Sequence, residues 1–553
     1  MAFEIKKRDL MGRIGRIETK SGSIETPLFL PVVNPLVQAI PPRKLWETFG
    51  LRAVMTNAYL VKKNFRDRIN GRTIHELLDF PGIVMTDSGA YQILTYGEVA
   101  VTPSEILAFQ EQISTDIGVI LDQPTSWRAS WTEAKKTVDI TLERAEEALK
   151  IVSKKNILWT GPVQGGVYLD LVELSARRMS DLPFNLYALG SPTTLMQSYW
   201  FGDLVDMIAT ANSYLPPDRP MHLFGAGHPL LFSFAVALGC DTFDSAAYAL
   251  YARQGRYMTD QGTLRIDRLE YFPCSCPVCS SLSPKELRDL PAGEREIKLA
   301  EHNIYSCTAE IGQIKQAITD GRLWEHLELR SRGHPALLSA FKRFKKYEQL
   351  LESRSPVSKR RGLFYFDSTG LSRPEIVRHA KRIELNYKPL SGGLKVLLLV
   401  SQPRRRPFHK SPETKRILEE LSKRLGTLND RVHVCFFASP FGIIPMELDE
   451  IYPLSQYESA IPCDKETVEF IENQVRDFIL RFGNLYRGIV LLNDKEMWGN
   501  GLSRKCHASC KRAGVPLLAE TKEKSELSRE KIVDLSNVIA TALSDPYSNR
   551  HEG

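Results

Sequence analysis

The chain has 553 residues, 43% hydrophobic and 25% charged, an ordinary composition for a globular protein and a length too great for one core. It contains no run of 18 or more apolar residues, so no segment reads as a membrane span. The net charge of +7 divides into −4 over residues 1–330 and +11 over residues 331–553; a basic module beside a near-neutral one suits a polyanionic substrate, though lysines that only solvate a surface would give the same balance.

The opening MAFEIKKRDLMGRIGRIE lacks the apolar core of a secretory signal, and a cytoplasmic location is expected. From there to residue 330, short β-rich runs alternate with helical stretches. The runs end at Asn34, Asn57, Asp87, Asp122, Gln164, Gly190, Gly225 and Asp244. Helical patterns separate several of them, most clearly at Pro103–Ser114 and Trp131–Lys154. Such alternation implies a parallel sheet, and eight units imply a closed (β/α)₈ TIM barrel. The polar and glycine residues that end the runs then share the C-terminal rim, where barrel active sites are built.

A cysteine cluster follows the barrel. Nine cysteines, an odd count with three of them inside six residues, point to metal ligation and free thiols instead of a disulfide framework. Cys274, Cys276 and Cys279 offer three soft thiolates suited to zinc. His302, in a helical stretch, could close the tetrahedron; Cys307 is the alternative fourth ligand. Four protein ligands would leave no open position, so one Zn2+ there would be structural.

Helices continue to about Tyr347, and residues 351–362 read as a linker. The sequence thus divides into a catalytic barrel over 1–350, with its zinc site at 271–302, and a smaller basic α/β domain over 363–545. In the latter, KVLLLV, RVHVCFFAS and RGIVLLN read as buried parallel strands, with helices at Glu413–Leu425 and Lys465–Phe482. The tail after Asp545 reads as loose.

Two segments carry candidate chemistry. In Thr86-Asp87-Ser88-Gly89-Ala90-Tyr91-Gln92 a carboxylate, small residues and an aromatic ring can hold a flat heterocycle. A plain helix cap would read the same way. In Phe243-Asp244-Ser245-Ala246 the aspartate ends the eighth run, so closure of a barrel brings it near the early strands. Two carboxylates across a sugar are the minimal kit for breaking a glycosidic bond, and a helix cap is again the alternative for Asp244.

Taken together, LPVVNP at 30–35, MTDSG at 85–89, ILDQPT at 120–125, RPMHLFGAGHP at 219–229, FDSAAYALYA at 243–252 and YFPCSCPVC at 271–279 resemble the archaeal tRNA-guanine(15) transglycosylases, which start archaeosine synthesis. The resemblance implies that Asp244 is the nucleophile and Asp87 the general acid/base. It implies that Ser88, Tyr91, Asp122, Gln164 and Gly190 bind the base, and that Cys274, Cys276, Cys279 and His302 hold zinc. It implies a target guanine at position 15 of the tRNA D-arm and 7-cyano-7-deazaguanine as the incoming base. The sequence departs from the family at Tyr91, often Phe, at Gln123 and Trp127, and at Gly190-Ser191-Pro192-Thr193, which replaces a more glycine-rich stretch.

The segment Gly442–Leu448 with Tyr452-Pro453 is similar to a domain of the archaeosine synthase family. That family has a cysteine loop after its KVLLLV-like strand; here the loop reads Ser401-Gln402-Pro403-Arg404-Arg405-Arg406-Pro407-Phe408. Glutamine cannot serve as a thiolate, so a structural or RNA-binding role is expected, with Arg404, Arg405, Arg406 and Lys410 as phosphate contacts. Nothing resembles the PUA module of many archaeal enzymes, and a separate PUA-domain subunit and a dimer are the further partners considered. A synthase-type enzyme, a non-catalytic tRNA-binding subunit and queuine-type exchange at the anticodon are the alternative functions.

Overall fold

Alternation of apolar and polar residues is broken early by glycines, and the first elements are an antiparallel three-stranded sheet, β1 (Phe3–Asp9), β2 (Gly12–Thr19) and β3 (Gly22–Glu25). The sequence reading did not anticipate it. The computed structural model describes residues 3–65, 69, 71–90, 101–152, 156–389, 394–521 and 528–544. The chain divides into two units, Met1–Pro356 and Val357–Gly553.

In the first unit all eight apolar runs are strands. They are β4 (Leu28–Pro31), β5 (Ala53–Asn57), β6 (Ile83–Asp87), β7 (Ile117–Val119), β8 (Leu158–Val163), β9 (Leu186–Leu189), β10 (Met221–Leu223) and β11 (Thr242–Ser245). Neighbours pair in parallel, and β11 pairs with β4. A bridge between Val32 and Met55, with Val33 N donating to Met55 O at 2.7 Å, closes the ring between β4 and β5. The result is the expected (β/α)₈ barrel.

Side chains alternate between the two faces of each strand. Phe29, Val54 and Val84 pack outward in the layer shared with the helices. Leu30, Met55, Ile83, Met85, Ile117, Val119 and Leu186 fill the barrel interior, and Phe3, Ile17 and Ile24 of the N-terminal sheet join that cluster. The early sheet therefore packs on the interior core, each buried side chain contributing about 1.5–3 kcal/mol. The same period of two carries Asn57 and Asp87 onto the interior face as β5 and β6 end.

Two helix boundaries differ from expectation. The helix expected to Ser114 ends at Gln112, and Ser114 takes a left-handed φ of 56° that an α-helix cannot continue through. The helix from Trp131 ends at Ile151; residues 153–155 lie outside the described set. Downstream, β12 (Arg256–Thr259) and β13 (Gly262–Arg265) form a hairpin, and a helix spans Ala292–Asp320. The helix Glu348–Arg354 occupies the start of the stretch read as linker.

The second unit holds a five-stranded sheet in the order β17-β16-β15-β19-β20. Its strands β15 (Lys395–Ser401), β16 (Val432–Ala438) and β19 (Tyr486–Leu492) are parallel. Gly442–Pro445 adds antiparallel β17, and Leu517–Thr521 adds parallel β20. A further parallel pair joins β14 (Leu363–Tyr365) to β18 (Tyr457–Ser459). The helices Pro412–Leu425 and Lys465–Phe482 match the sequence reading closely. The tail after Asp545 lies outside the described residues.

Candidate active site and metal centre

Asp87 ends β6 on the interior face, where Asn57 Nδ2 donates to its Oδ2 at 2.9 Å and Gly89 N donates to the same oxygen at 3.3 Å. Gly89 takes a φ of 97°, which favours glycine and folds its N–H back towards the carboxylate. Asp87 keeps partial exposure towards the rim, yet protein encloses it on its other sides. That loss of water pushes its carboxyl up to about 7, and the charges of Asp122 and Asp244 push in the same direction. Ser88 is buried, and its Oγ has no partner among the described residues. Tyr91 lies outside the described residues.

Asp244, buried, is held from two sides. His222 Nε2 lies 3.0 Å from its Oδ1, and Gly225 N donates to that oxygen at 2.9 Å. His222 Nδ1 lies 2.9 Å from Thr242 Oγ1. A carboxylate only accepts, so His222 donates from Nε2, while Nδ1 and the Thr242 hydroxyl share a second hydrogen bond. Gly225 reaches Asp244 with a φ of 70°. Gly227 is required for space, because a Cβ there would fall 1.9 Å from Ser245 Cβ.

Asp122 and Gln164 form a second pair. Gln164 Nε2 donates to Asp122 Oδ2 at 2.5 Å. Burial pushes the Asp122 carboxyl up to about 6, against the pull of the Gln164 bond and the Arg144 charge. Gln164 Oε1 accepts from Thr125 N at 3.2 Å and from Ser191 Oγ at 3.0 Å, and Thr125 N also donates to Ser191 Oγ at 3.0 Å. Ser191 adopts a φ of 63°, a left-handed conformation that serine takes rarely. Gly190 lies against the amide: a Cβ there would stand 2.2 Å from Gln164 Nε2.

The sequence reading missed His222. It sits mid-run in Met221–Leu223, where a lone histidine reads as core. The available signal was its place on the interior face of the strand beside β11.

The metal-ligand candidates converge. The ligand atoms of Cys274, Cys276, Cys279 and His302 all lie within 4.8 Å of one another. Cys276 Sγ and Cys279 Sγ are 3.6 Å apart, and His302 Nδ1 is 3.5 Å and 3.4 Å from them. His302 Nε2 lies 2.9 Å from Met258 O; donating there turns the Nδ1 lone pair towards the sulfurs. The Tyr257 ring stacks on His302 at 3.5 Å, and its hydroxyl lies 3.1 Å from Cys279 Sγ. Three thiolates and an imidazole at this separation fit a four-coordinate metal ion. Cys307 is buried apart from this set, 3.5 Å from Gly227 O.

In the second unit Gln402 is buried, its N donating to Phe437 O at 3.1 Å and its Oε1 accepting from Ser439 N at 2.7 Å. Arg404 and Arg405 are exposed. Arg406 lies over the Tyr457 ring at 3.8 Å, and Lys410 is paired with Glu450. Two of the four expected phosphate contacts thus already have internal partners.

A closed parallel barrel with buried carboxylates at its C-terminal rim has the architecture of the barrel enzymes, whose sites lie on that rim. Comparison with known proteins makes the class specific. Residues 9–336 match the family described as queuine tRNA-ribosyltransferase, and the chain belongs to that family. Membership makes it an enzyme of tRNA glycosyl transfer. Residues 376–539 match a domain of unknown function, DUF5591. The chain is similar to the tRNA-guanine(15) transglycosylase of Sulfolobus acidocaldarius, 41% identical over 86% of this chain and 92% of the relative. The protein of that name from Saccharolobus solfataricus is 41% identical over 90% and 97% of the two chains. The one from Methanocaldococcus jannaschii is 41% identical over 83% of this chain and 68% of its own. No helix among the described residues is long and apolar enough to cross a membrane.

Proposed function

We propose that the protein exchanges guanine at position 15 of the tRNA D-arm for 7-cyano-7-deazaguanine, the first tRNA-level step of archaeosine biosynthesis. The observation that carries this reading is the placement of two enclosed carboxylates, Asp87 at the end of β6 and Asp244 in β11, on the interior face where the barrel strands end. An acid held near neutrality beside a second carboxylate, itself fixed by His222 and Gly225, suits a two-step displacement at a sugar carbon.

Asp244 attacks C1′ of the nucleoside. The C1′–N9 bond breaks, and Asp87 gives its proton to the departing guanine. The product is a ribosyl ester of Asp244. The incoming base loses its N9 proton to Asp87 and attacks C1′, and the ester bond breaks to restore the Asp244 carboxylate. Asp122, Gln164, Ser88 and the backbone at Gly190 read the base edge, and Tyr91 supplies a stacking ring. The D-arm opens to present its base, as base-modifying enzymes require.

The ion at the Cys3His cluster is a structural zinc, held by Cys274, Cys276, Cys279 and His302. The reaction takes place in the cytoplasm. Arg404 and Arg405 contact phosphates, and a PUA-containing subunit or a second copy completes the tRNA contact.

The test is incorporation of labelled guanine into unmodified tRNA by the purified chain, compared with Asp244→Ala and Asp87→Ala. Exchange by the unaltered protein, lost in both variants, is expected. Exchange that survives in Asp244→Ala would overturn the assignment of the nucleophile. A silent protein revived by cell extract would point to a required subunit. One still silent would favour the tRNA-binding or synthase-type reading.

A further inference from the structure

Tryptophan is normally well buried, yet Trp127 is 40% exposed, Trp131 46% and Trp200 41%. All three lie on connections that leave the C-terminal ends of barrel strands. Trp127 is in the loop after β7, Trp131 opens the helix that follows that loop, and Trp200 ends the connection after β9. Trp131 is tied down, its Nε1 donating to Asp170 Oδ2 at 2.8 Å. Trp127 and Trp200 meet each other instead, with ring centroids 5.6 Å apart and planes at 72°. The Arg128 guanidinium lies over Trp127 at 4.7 Å. Tyr199, next to Trp200, is held at a φ of 59°, a costly conformation for a bulky residue.

This platform is joined to the base pocket by hydrogen bonds. Thr125, two residues before Trp127, donates from its N–H to Gln164 Oε1 and Ser191 Oγ. Ser191 belongs to the connection that carries Trp200, and Gln164 is bonded to Asp122. The loop that carries Trp127 and the connection that carries Trp200 are thus tied to each other and to Gln164 at their starts.

We propose that Trp127 and Trp200, with Arg128, form a stacking platform for an unpaired nucleotide flanking the exchanged base. The inference rests on the tRNA reading of the site. A base removed from a folded arm leaves neighbours that have lost their stacking partner. Exposed indoles replace that contact without regard to base identity, and a mobile guanidinium can exchange ring contact for phosphate. Continuity with the pocket, together with the cation, favours a nucleotide over a protein surface.

The experiment uses the full chain and unmodified tRNA, with Trp127→Ala, Trp200→Ala, the double variant, Trp127→Phe and Trp200→Phe. Equilibrium binding of tRNA and steady-state exchange are measured, with intrinsic fluorescence followed on tRNA addition. Each alanine variant should weaken tRNA binding about tenfold and leave KM for guanine unchanged. The phenylalanine variants should restore most of the affinity, and their fluorescence quench on tRNA binding should be smaller. Unchanged affinity in the double variant overturns the proposal. So does a shift in oligomeric state by sedimentation as the main effect, which would assign the platform to a second copy. Melting temperatures of the alanine variants equal to that of the unaltered chain separate lost stacking from lost folding. If the unaltered protein binds tRNA but exchanges no base, the exchange reading fails while the binding comparison still decides the platform.

Discussion

His222 and Asp244 face each other across adjacent parallel strands, with Nε2 3.0 Å from Oδ1 and the histidine wholly buried. The register places His222 beside Thr242, whose hydroxyl fixes the second ring nitrogen. In the proposed mechanism the imidazole aims the carboxylate through Oδ1. Replacing it with alanine frees Asp244 to turn. A misplaced nucleophile costs about a hundredfold in rate. His222→Ala should therefore lower kcat by that order with little change in KM for guanine, and His222→Asn, which keeps a donor, should recover part of the loss. Single-turnover exchange checks it; an unchanged kcat would remove His222 from the positioning role.

Asp87 sets the pH response. With its carboxyl pushed up to about 7, it is protonated below that value and ionised above. In the proposed mechanism release of guanine takes the proton of Asp87, so the first half-reaction should slow as pH rises through 7, about tenfold per unit at the alkaline side. A pre-steady-state burst of labelled guanine, followed from pH 5.5 to 9, measures it. A burst rate flat across that range would show that Asp87 is not the proton donor.

The same shift bears on stability. In the unfolded chain Asp87 ionises near its usual 3.8, while the folded chain holds the proton to about 7. The folded state binds more protons between those values, so stability falls as pH rises from about 4 to 7. Asp87→Asn removes this penalty. It should raise the melting temperature at pH 8 and leave it unchanged near pH 4. Calorimetry at the two pH values decides; an equal change at both would mean a packing effect.

The metal centre yields a stoichiometric prediction. The convergence of Cys274, Cys276, Cys279 and His302 should hold one zinc ion per chain by elemental mass spectrometry. Cys276→Ser should lose the metal and melt early, since a structural ion contributes directly to folding. Cys307→Ser should keep its full metal content, because Cys307 bonds to Gly227 O outside the cluster. Metal loss in the Cys307 variant instead would reassign the fourth ligand.

Much of this arrangement is legible in the sequence because a parallel strand in a barrel is an apolar run with its chemistry at the end. Asp87, Gln164 and Asp244 could be placed on the rim from that position, while their proposed roles came from the resemblance. His222 could not, because a histidine inside a run gains its meaning only from the register of the neighbouring strand. The first sheet escaped notice because Phe3–Asp9 is mostly charged and exposed along its length, with only Phe3 and Asp9 at its ends buried. The contact of Ser191 with Gln164 was hidden for another reason. It depends on a left-handed backbone at Ser191, which serine adopts rarely and sequence does not announce.

Gly190 offers the sharpest steric test of the base pocket. A methyl group there would enter the space of the Gln164 amide, 2.2 Å from Nε2. Gly190 N is itself bonded to Val163 O at 2.9 Å, so the backbone is held and the amide must move. Moving it breaks the bond to Asp122, a charge-assisted contact of the kind that contributes about 1.5–3 kcal/mol. Gly190→Ala should therefore raise KM for guanine roughly tenfold to hundredfold, with a melting temperature close to that of the unaltered protein. Gly202→Ala, where an added Cβ meets nothing within 4 Å, is the matched control and should keep its KM. A Gly190→Ala protein with unchanged KM would mean that the Asp122–Gln164 pair does not read the base, and that recognition rests on Ser88 and the region around Tyr91.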